Sequence, residues 1–328
     1  MYKHSYKKKE DSNIIYVKQD AELVEEFDPV LKVEKAGRTC YQSGSSGDRD
    51  KAVEFVQRAL RMGHMSIFEH VVFCFVFPKQ SGSSYYAFQL RESETNPDFE
   101  YTHYNGSIDI ISINFRFLLE AFIGTGYVVG NERLAPLIAV VQNKYPELFS
   151  GEQQLYLETY RNEINSISLY TSDEFRLEFN DVLNKQEKLA HYYFSFVLQT
   201  DRGVMTELTR HRRNAFSVSS TRYINFDKKV GGVPIVEPAE GFKEDGLMDN
   251  ILDLNALHYS FLLDRGLTAQ EARAVLPQCL WTEIFTTANL RQWLHVFDLR
   301  LAEAAHPMIR ELMAMVKELL SEYIGDED

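Results

Sequence analysis

The sequence predicts an α+β fold with a central antiparallel-type sheet flanked by helices, a helical insertion and a helical C-terminal half. Two observations predict this class. Short runs rich in β-branched and aromatic residues, which are typical of buried strands, occur at residues 14–17, 71–77 and 192–198. Apolar residues recur at helical spacing over residues 111–188 and 251–324. The 328 residues are 45% hydrophobic and 25% charged, which is ordinary globular composition.

Domain organisation follows from the local composition. Residues 1–12 are predicted to form a flexible tail and residues 13–328 a single domain. That domain contains a helical insertion at about residues 79–188, whose first part is rich in Ser, Gly, Tyr and Asn and is predicted to be irregular. Neither an internal repeat nor a low-complexity tract interrupts the domain.

Four further segments have local signals. Residues 48–62 have the apolar spacing of a helix, and residues about 204–213 are predicted to form another. Ser66 and Glu69 have the spacing of a capping box at a helix start. Residues about 227–249 are predicted to be a mobile linker.

The charge balance excludes several classes of function. Lys and Arg number 35 and Asp and Glu 48, so the formal net charge is −13. This balance argues against nucleic-acid or membrane-surface binding by the whole molecule, and no apolar run is long enough to cross a membrane. The basic N-terminus has no apolar segment behind it, so no secretory signal is expected. Cys40, Cys74 and Cys279 lie far apart, which favours a reducing cytoplasm, and His64 and His70 lack a third ligand, so no metal site is expected.

A basic cluster interrupts this acidic chain. Within thirteen residues, basic side chains alternate with hydroxyls, namely Arg210, His211, Arg212, Arg213 and Arg222 with Ser217, Ser219, Ser220 and Thr221. Guanidinium forks, hydroxyls and loop amides together suit a phosphate ester. Glu207 precedes Arg210 by three residues and His211 by four, so on a helix it is expected to lie beside both. The residues alone leave two interpretations open, a phosphate site and a solvated basic helix end that complements the macrodipole.

A longer pattern decides between them. Arg210-His211-Arg212, followed after seven residues by Ser220-Thr221-Arg222-Tyr223, resembles the signature of flavin-dependent thymidylate synthases. The resemblance covers about residues 30–77, 190–226 and 268–315, and the insertion lies outside it. Its other stretches are Ala36-Gly37-Arg38-Thr39-Cys40-Tyr41, Gly63-His64-Met65-Ser66-Ile67-Phe68-Glu69-His70, Ala272-Arg273-Ala274-Val275-Leu276-Pro277, Thr286-Thr287-Ala288-Asn289-Leu290-Arg291 and Leu299-Arg300.

The resemblance implies a function and a set of site residues. It implies dTMP synthesis from dUMP, with methylenetetrahydrofolate as carbon donor, FAD reduced by NADPH as hydride source, and a homotetramer whose active sites form between subunits. The implied dUMP contacts are Glu207, Arg210, Ser219, Ser220, Arg222, Arg273 and Arg300. The implied FAD contacts are Ser66, Glu69, Arg210, His211, Arg212, Ser217, Asn289, Arg291 and His295. The implied catalytic residues are Ser220, Arg300 and His64, the last near the flavin ring where folate stacks.

Some positions depart from the family pattern. Ser217 stands where many members have Asn, Val218 replaces a position that is often polar, and His295 stands where some members have Asn. A histidine that some members carry four residues beyond Arg300 is Ala304 here. These departures concern individual flavin contacts.

The C-terminal helix gives an independent indication. At about 100° per residue, Asn289 and Arg300 fall on nearly the same face, whereas Arg291 and His295 share the opposite one. Ligand-type side chains on both faces predict a helix held between two binding surfaces.

Two alternative functions remain at this point. Leu276-Pro277-Gln278-Cys279 faintly resembles the nucleophile segment of the cysteine-dependent thymidylate synthases, in which a thiolate attacks the pyrimidine. Residues 210–222 could instead form a nucleic-acid-binding module, although only Phe216 and Tyr223 supply aromatic rings there.

Overall fold

The computed structural model of this chain describes residues 7–8, 12–78, 82–92, 99–104, 108–125, 128–150, 155, 157–238 and 246–324. The flexible tail predicted over residues 1–12 lies almost entirely outside this set. Within it, residues 7–8 form a two-residue strand that pairs with residues 15–16. Among the described helices, none is both long enough and apolar enough to span a bilayer.

The first sheet is antiparallel and carries most of the predicted site residues. The longest pairing joins its two central strands over nine residues, from Tyr193 opposite Asn289 to Asp201 opposite Trp281. Its four strands, in spatial order, are Ala215–Val218 (β11), Trp281–Asn289 (β13), Tyr193–Asp201 (β10) and Asp20–Val24 (β3).

The second sheet is also antiparallel and joins the insertion to the rest of the domain. Only one of its strands, the buried run that follows His70, lies outside the predicted insertion. In spatial order the strands are Phe99–Tyr104 (β5), Ile108–Asn114 (β6), Val72–Pro78 (β4) and Ser168–Thr171 (β9).

Two smaller sheets complete the strand inventory of the described residues. The first combines Lys7–Lys8 (β1), Ile14–Val17 (β2) and Val233–Val236 (β12), with β2 and β12 parallel. The second pairs Gly124–Thr125 (β7) with Val128–Val129 (β8).

The helices pack against both large sheets. Trp293 is buried against Phe196 of β10, so the helix that follows β13 covers one face of the first sheet. The α-helices are Pro29–Tyr41 (α1), Arg49–Arg61 (α2), Ser83–Arg91 (α3), Phe115–Ile123 (α4), Ala135–Lys144 (α5), Arg161–Ser166 (α6), Ser172–Glu178 (α7), Lys185–His191 (α8), Arg202–Leu208 (α9), Phe226–Val230 (α10), Gly246–Asp264 (α11), Ala269–Ala272 (α12), Leu290–Arg300 (α13), Pro307–Leu319 (α14) and Ser321–Ile324 (α15). Short 3₁₀ helices cover Met65–His70, Glu132–Leu134, Pro146–Leu148, Leu157–Tyr160 and Arg273–Val275.

The α+β class with antiparallel strands flanked by helices is confirmed, and several predicted elements are confirmed with it. The strand at β2 is as predicted, and those at β4 and β10 differ only at their ends. The helix predicted over residues 48–62 is α2, and Gly63 follows it at φ 69°, in the left-handed region that favours glycine.

Three sequence-based expectations are wrong in detail. The C-terminal part is not helical throughout, because β13 is a strand and pairs on both sides. The insertion is not purely helical, because it supplies β5, β6 and β9. The predicted linker at 227–249 contains most of α10, all of β12 and the first turn of α11, while residues 239–245 lie outside the described set. For β13 and β12 the reason is that strands buried along their whole length lose the alternation that marks a strand in the sequence.

A buried ion cluster connects the insertion to the first helix. The Lys32 ammonium lies 2.7 Å from the Asp173 carboxylate, and Arg176 donates to the same carboxylate at 3.0 Å. All three side chains are buried, and the Arg176 guanidinium also lies over the Phe194 ring at 4.6 Å. Since each ion has left water, the cluster depends on every member being present.

We expect Asp173→Ala to lower the free energy of unfolding by about 3–5 kcal/mol, because it removes the carboxylate shared by two buried cations and leaves Arg176 only the longer, 3.6 Å ion pair with the exposed Glu25. Urea denaturation would measure this. Glu158→Gln removes an exposed insertion carboxylate that pairs with Arg161, and it should change stability by less than about 0.5 kcal/mol. A similarly small effect for Asp173→Ala would show that the cluster does not hold the insertion.

Candidate functional site

Arg300 is the centre of a hydrogen-bonded network at the end of α13. Its Nη1 donates to the Glu207 carboxylate at 3.0 Å and its Nη2 to the Glu207 carbonyl at 2.9 Å. Its Nε donates to His211 Nε2 at 3.0 Å. Three bonds in three directions fix the guanidinium plane, so Arg300 is held in place by residues that lie about ninety positions earlier in the chain.

The helix predicted over residues about 204–213 is too long, so Glu207 does not share one helix with Arg210 and His211, although Glu207 and His211 both contact Arg300. Helix α9 ends at Leu208, not near residue 213, so the basic cluster begins in the turn after it. Asp201 caps the start of this short helix by accepting from the Val204 amide at 2.7 Å. The Glu207 carboxylate is therefore free to reach across to Arg300.

His211 is a neutral hydrogen-bond acceptor in this network. Its pKa is lowered to about 4 by burial, by the Arg300 guanidinium and by His295, whose ring centroid lies 6.0 Å away. Because Nε2 accepts from Arg300, the neutral ring carries its proton on Nδ1.

The loop after β11 is held from below by β13. The Ser219 amide donates to the Glu283 carbonyl at 2.9 Å, and the Ser219 hydroxyl lies 2.8 Å from that of Thr282. The Ser220 amide donates to the Cys40 carbonyl at 3.0 Å. Burial raises the pKa of the Glu283 carboxyl to about 7, so a weakly ionised acid lies directly beneath this loop.

Several arginines near this loop lack a carboxylate partner within the part of the chain that the structure describes. Arg222 Nε donates to the Gln270 side chain at 2.8 Å and Arg273 Nη1 to the Thr221 hydroxyl at 3.3 Å. Exposed Arg210 and Arg212 make no described ion pair. This donor set fits an anionic ligand, because a phosphate would supply the missing counter-charge.

Arg202 is a further cation of this group that the sequence analysis missed. It begins α9 and is half-buried, and its pKa is lowered by burial and by the nearby Arg273. No local pattern in the sequence indicates its role, because its neighbour Arg273 lies seventy-one residues later in the chain.

A cleft of about 540 Å³ lies where the first sheet meets the insertion. Of the predicted flavin contacts, Glu69 and Arg212 line this cleft, and Thr287 of β13 lines it as well. The insertion forms the facing wall, through Arg91, Phe99, Glu100, Tyr101, Asn114 and Phe117.

Insertion side chains bind three of the predicted flavin contacts at and beside this cleft. The Glu100 carboxylate accepts from Arg291 Nη1 at 3.1 and 3.0 Å and from Asn289 Nδ2 at 3.2 Å. Arg116 forms an ion pair with Glu69, whose pKa is raised by burial despite that cation. Neither insertion residue was identified from the sequence, because each lies far along the chain from its partner.

Ser217 is fixed by a buried chain of hydroxyls and one histidine. The His70 ring lies 3.0 Å from the Ser217 hydroxyl through Nε2 and 3.0 Å from the Thr287 hydroxyl through Nδ1. Thr287 in turn lies 2.8 Å from the Ser195 hydroxyl. Burial lowers the pKa of His70 to about 3, so this histidine is neutral and acts as a structural connector.

Two predicted site residues are not brought into these clusters. His64 and Ser66 are exposed at the start of the 3₁₀ helix at Met65–His70, where no described side chain caps the backbone. The predicted capping box is therefore wrong, and Glu69 pairs with Arg116 instead. Roles for His64 and Ser66 stay predictions.

Cys279 lines a second cleft, of about 620 Å³, together with Glu207, Asp201 and His306. Burial raises the pKa of the Cys279 thiol to about 11, so at neutral pH it is protonated. A protonated thiol is a poor nucleophile. Cys74 is buried in β4, where burial raises the pKa of its thiol to about 12, so it too is protonated at neutral pH.

Comparison with known proteins matches the two segments of the chain that carry the predicted site residues. The family model described as thymidylate synthase complementing protein matches residues 22–85 and 179–324, which leaves out the middle of the insertion. The chain is 33% identical over 142 residues to the flavin-dependent thymidylate synthase of Geobacter sulfurreducens, covering 42% of this chain and 60% of that protein. It is 34% identical over 128 residues to that of Pyrococcus furiosus, covering 38% and 52%. A probable flavin-dependent thymidylate synthase of Mycobacterium phage D29 is 32% identical over 146 residues, covering 41% and 62%. The chain thus spans about half to three fifths of the length of these relatives.

We expect the His211 imidazole to stay neutral until the pH falls to about 4, and its pKa to rise towards 6.5 in Arg300→Ala. The folded-state pKa is below the unfolded one, so His211 contributes stability above pH 6.5 that is lost as the pH falls towards 4. Titration of the ring ¹⁵N shifts by NMR, assigned with His211→Gln, would measure both values. Arg265→Ala, a change at a surface arginine, should leave the titration unaltered, and an unaltered pKa in Arg300→Ala would contradict the network.

Proposed function

The chain belongs to the thymidylate synthase complementing protein family, and we propose that it makes dTMP from dUMP by reductive methylation. In this proposal methylenetetrahydrofolate supplies the carbon, FAD is the cofactor, and NADPH reduces it. One observation carries the proposal: arginines without a carboxylate partner among the described residues gather around a hydroxyl-rich loop, in the segments that the family model matches.

The dUMP site is proposed at the loop after β11. Arg222 belongs to this loop and Arg273 donates to its Thr221 hydroxyl. Their described hydrogen-bond partners are neutral, so a phosphate would be a stronger partner for both. The Glu207–Arg300 pair is held rigidly enough to orient a pyrimidine. The proposed contacts are those the sequence implied, namely Glu207, Arg210, Ser219, Ser220, Arg222, Arg273 and Arg300.

The FAD site is proposed at the 540 Å³ cleft and the turn beside it. The donor set fits, because guanidinium groups suit the diphosphate and amide and hydroxyl groups suit the ring edges. The proposed contacts are Ser66, Glu69, Arg210, His211, Arg212, Ser217, Asn289, Arg291 and His295. When bound, the reduced flavin would supply the hydride.

The contribution of this chain to catalysis is then positioning and polarisation. Arg300, fixed by Glu207 and His211, can place positive charge against a pyrimidine oxygen without moving. A neutral His211 can accept the hydrogen bond from Arg300, whereas a protonated ring would repel the guanidinium. Ser220 is proposed to orient the nucleotide, and His64 to lie near the ring where folate stacks.

A homotetramer with active sites between subunits is part of the proposal. Helix α11 supports it, because its outer face presents a row of exposed apolar side chains, namely Leu247, Ile251, Leu254, Leu257 and Phe261. A contiguous apolar face of this kind is typical of a protein interface. A reducing, cytoplasmic location is also proposed, with support from three cysteines that are all unpaired.

The proposal is tested directly by the purified protein. With dUMP, methylenetetrahydrofolate and NADPH present, we expect a flavin absorbance spectrum and formation of dTMP that depends on all three. A preparation that carries nucleic acid and no flavin would favour the nucleic-acid-binding alternative for residues 210–222.

We expect Arg222→Ala and Arg273→Ala each to weaken dUMP binding by about 1.5–3 kcal/mol while FAD stays bound, because each removes a charge-assisted phosphate partner. Isothermal titration with dUMP would measure the loss, and flavin absorbance would report the cofactor. Arg265→Ala removes the same charge from the end of α11 and serves as the control. Loss of FAD with unchanged dUMP affinity would contradict the assignment of these two residues.

We expect Cys279→Ala to retain most of the dTMP-forming activity, because burial raises the pKa of its thiol and keeps it protonated at neutral pH. Steady-state rates of the variant and the parent would be compared at saturating dUMP. Abolished turnover in a folded Cys279→Ala protein would instead support the cysteine-nucleophile alternative.

A further inference from the structure

The insertion places a carboxylate on two of the proposed FAD contacts. Glu100 of β5 accepts from Arg291 Nη1 with both oxygens, at 3.1 and 3.0 Å, and from Asn289 Nδ2 at 3.2 Å. The Glu100 side chain is 17% exposed and that of Arg291 is 44% exposed. A carboxylate that bridges an arginine and an amide in this way occupies the place that a phosphate oxygen would take.

Asn289 has no donor left for a ligand while Glu100 is in place. The amide nitrogen of its side chain donates to Glu100 and to the Ala190 carbonyl, at 3.2 Å in each case. The amide oxygen accepts from the Gln292 backbone and caps α13. An anion could therefore reach Asn289 only by replacing Glu100.

The insertion also binds Glu69, a third proposed FAD contact. Arg116 of α4 pairs with Glu69, another proposed FAD contact, and is itself held by Glu120 one turn further on. The insertion thus contacts the cleft from two sides, and both Glu100 and Arg116 lie outside the segments that the family model matches. The contacts belong to a part of the chain that is additional to the family's shared core.

We propose that Glu100 is an internal competitor for the anionic part of the cofactor: its carboxylate occupies the Asn289–Arg291 position, and the cofactor must displace it to bind. This inference rests on the proposed FAD site. The affinity for the cofactor is then the difference between two interactions, because a bound diphosphate forms an ion pair with Arg291 only after the Glu100–Arg291 ion pair has broken. The insertion then acts as an autoinhibitory element that a negatively charged ligand opens.

The test is to measure the binding of FAD to the cofactor-free protein, with quenching of the flavin fluorescence as the signal. We expect Glu100→Gln to lower the dissociation constant by about tenfold, because it keeps the shape of the side chain and removes the competing charge. Glu158→Gln makes the same charge change elsewhere in the insertion and should shift the constant less than about twofold. Unchanged or weaker binding by Glu100→Gln would overturn the proposal, since Glu100 would then hold Arg291 ready for the ligand.

A second comparison separates this inference from the proposed function. In Arg291→Ala the cation for which Glu100 and the ligand compete is gone and only the Asn289 hydrogen bond remains, so adding Glu100→Gln should give a smaller gain in FAD affinity than in the parent. If no variant binds FAD, the proposed cofactor is wrong, and inorganic pyrophosphate becomes the probe. Pyrophosphate should then raise the thermal midpoint of Glu100→Gln more than that of the parent, and equal shifts would overturn the role of Glu100.

Discussion

The pairing of β13 with both β10 and β11 is the constraint on which the rest of the site depends. Its register sets Thr287 opposite Ser195 on one side and Ala215 on the other, so the hydroxyl chain through His70 can form only in this alignment. The strand ends at Asn289, which caps the next helix and so fixes where Arg300 emerges eleven residues later. A shift of one residue would turn every one of these side chains to the opposite face.

The sequence predicted the elements whose signal is local, and it failed where pairing decides. The strands at β2, β4 and β10 and the helix α2 were recognised from branched, aromatic or periodic residues. β13 was not, because every one of its nine residues is buried and its pattern shows no alternation. In the insertion, β6 pairs with β4 on one side and with β5 on the other, and these pairings between distant segments cannot be recognised from local composition.

The site was predictable to a similar extent. The basic cluster and Arg300 could be recognised because the signature has fixed spacing. Arg300 could not be predicted as the partner of Glu207. Residues at helical spacing face each other only if the helix continues, and α9 ends at Leu208. Glu100 and Arg116 were out of reach for another reason: Glu100 lies 191 positions from Arg291, and Arg116 lies 47 from Glu69.

The two proposed ligand sites differ in how their charges are balanced, and this difference follows from the insertion. Around the loop after β11, burial and the nearby Arg273 both lower the pKa of Arg202, so a bound phosphate would stabilise its charged form. At the cleft, Glu100 and Arg116 already neutralise Arg291 and Glu69, so a bound diphosphate would exchange one partner for another. In a protein with a net charge of −13, the first arrangement draws an anion in, whereas the second makes its entry conditional. On the proposed assignment, the nucleotide site can therefore bind its phosphate directly, whereas the Glu100 carboxylate must first leave Arg291 before the cofactor can bind.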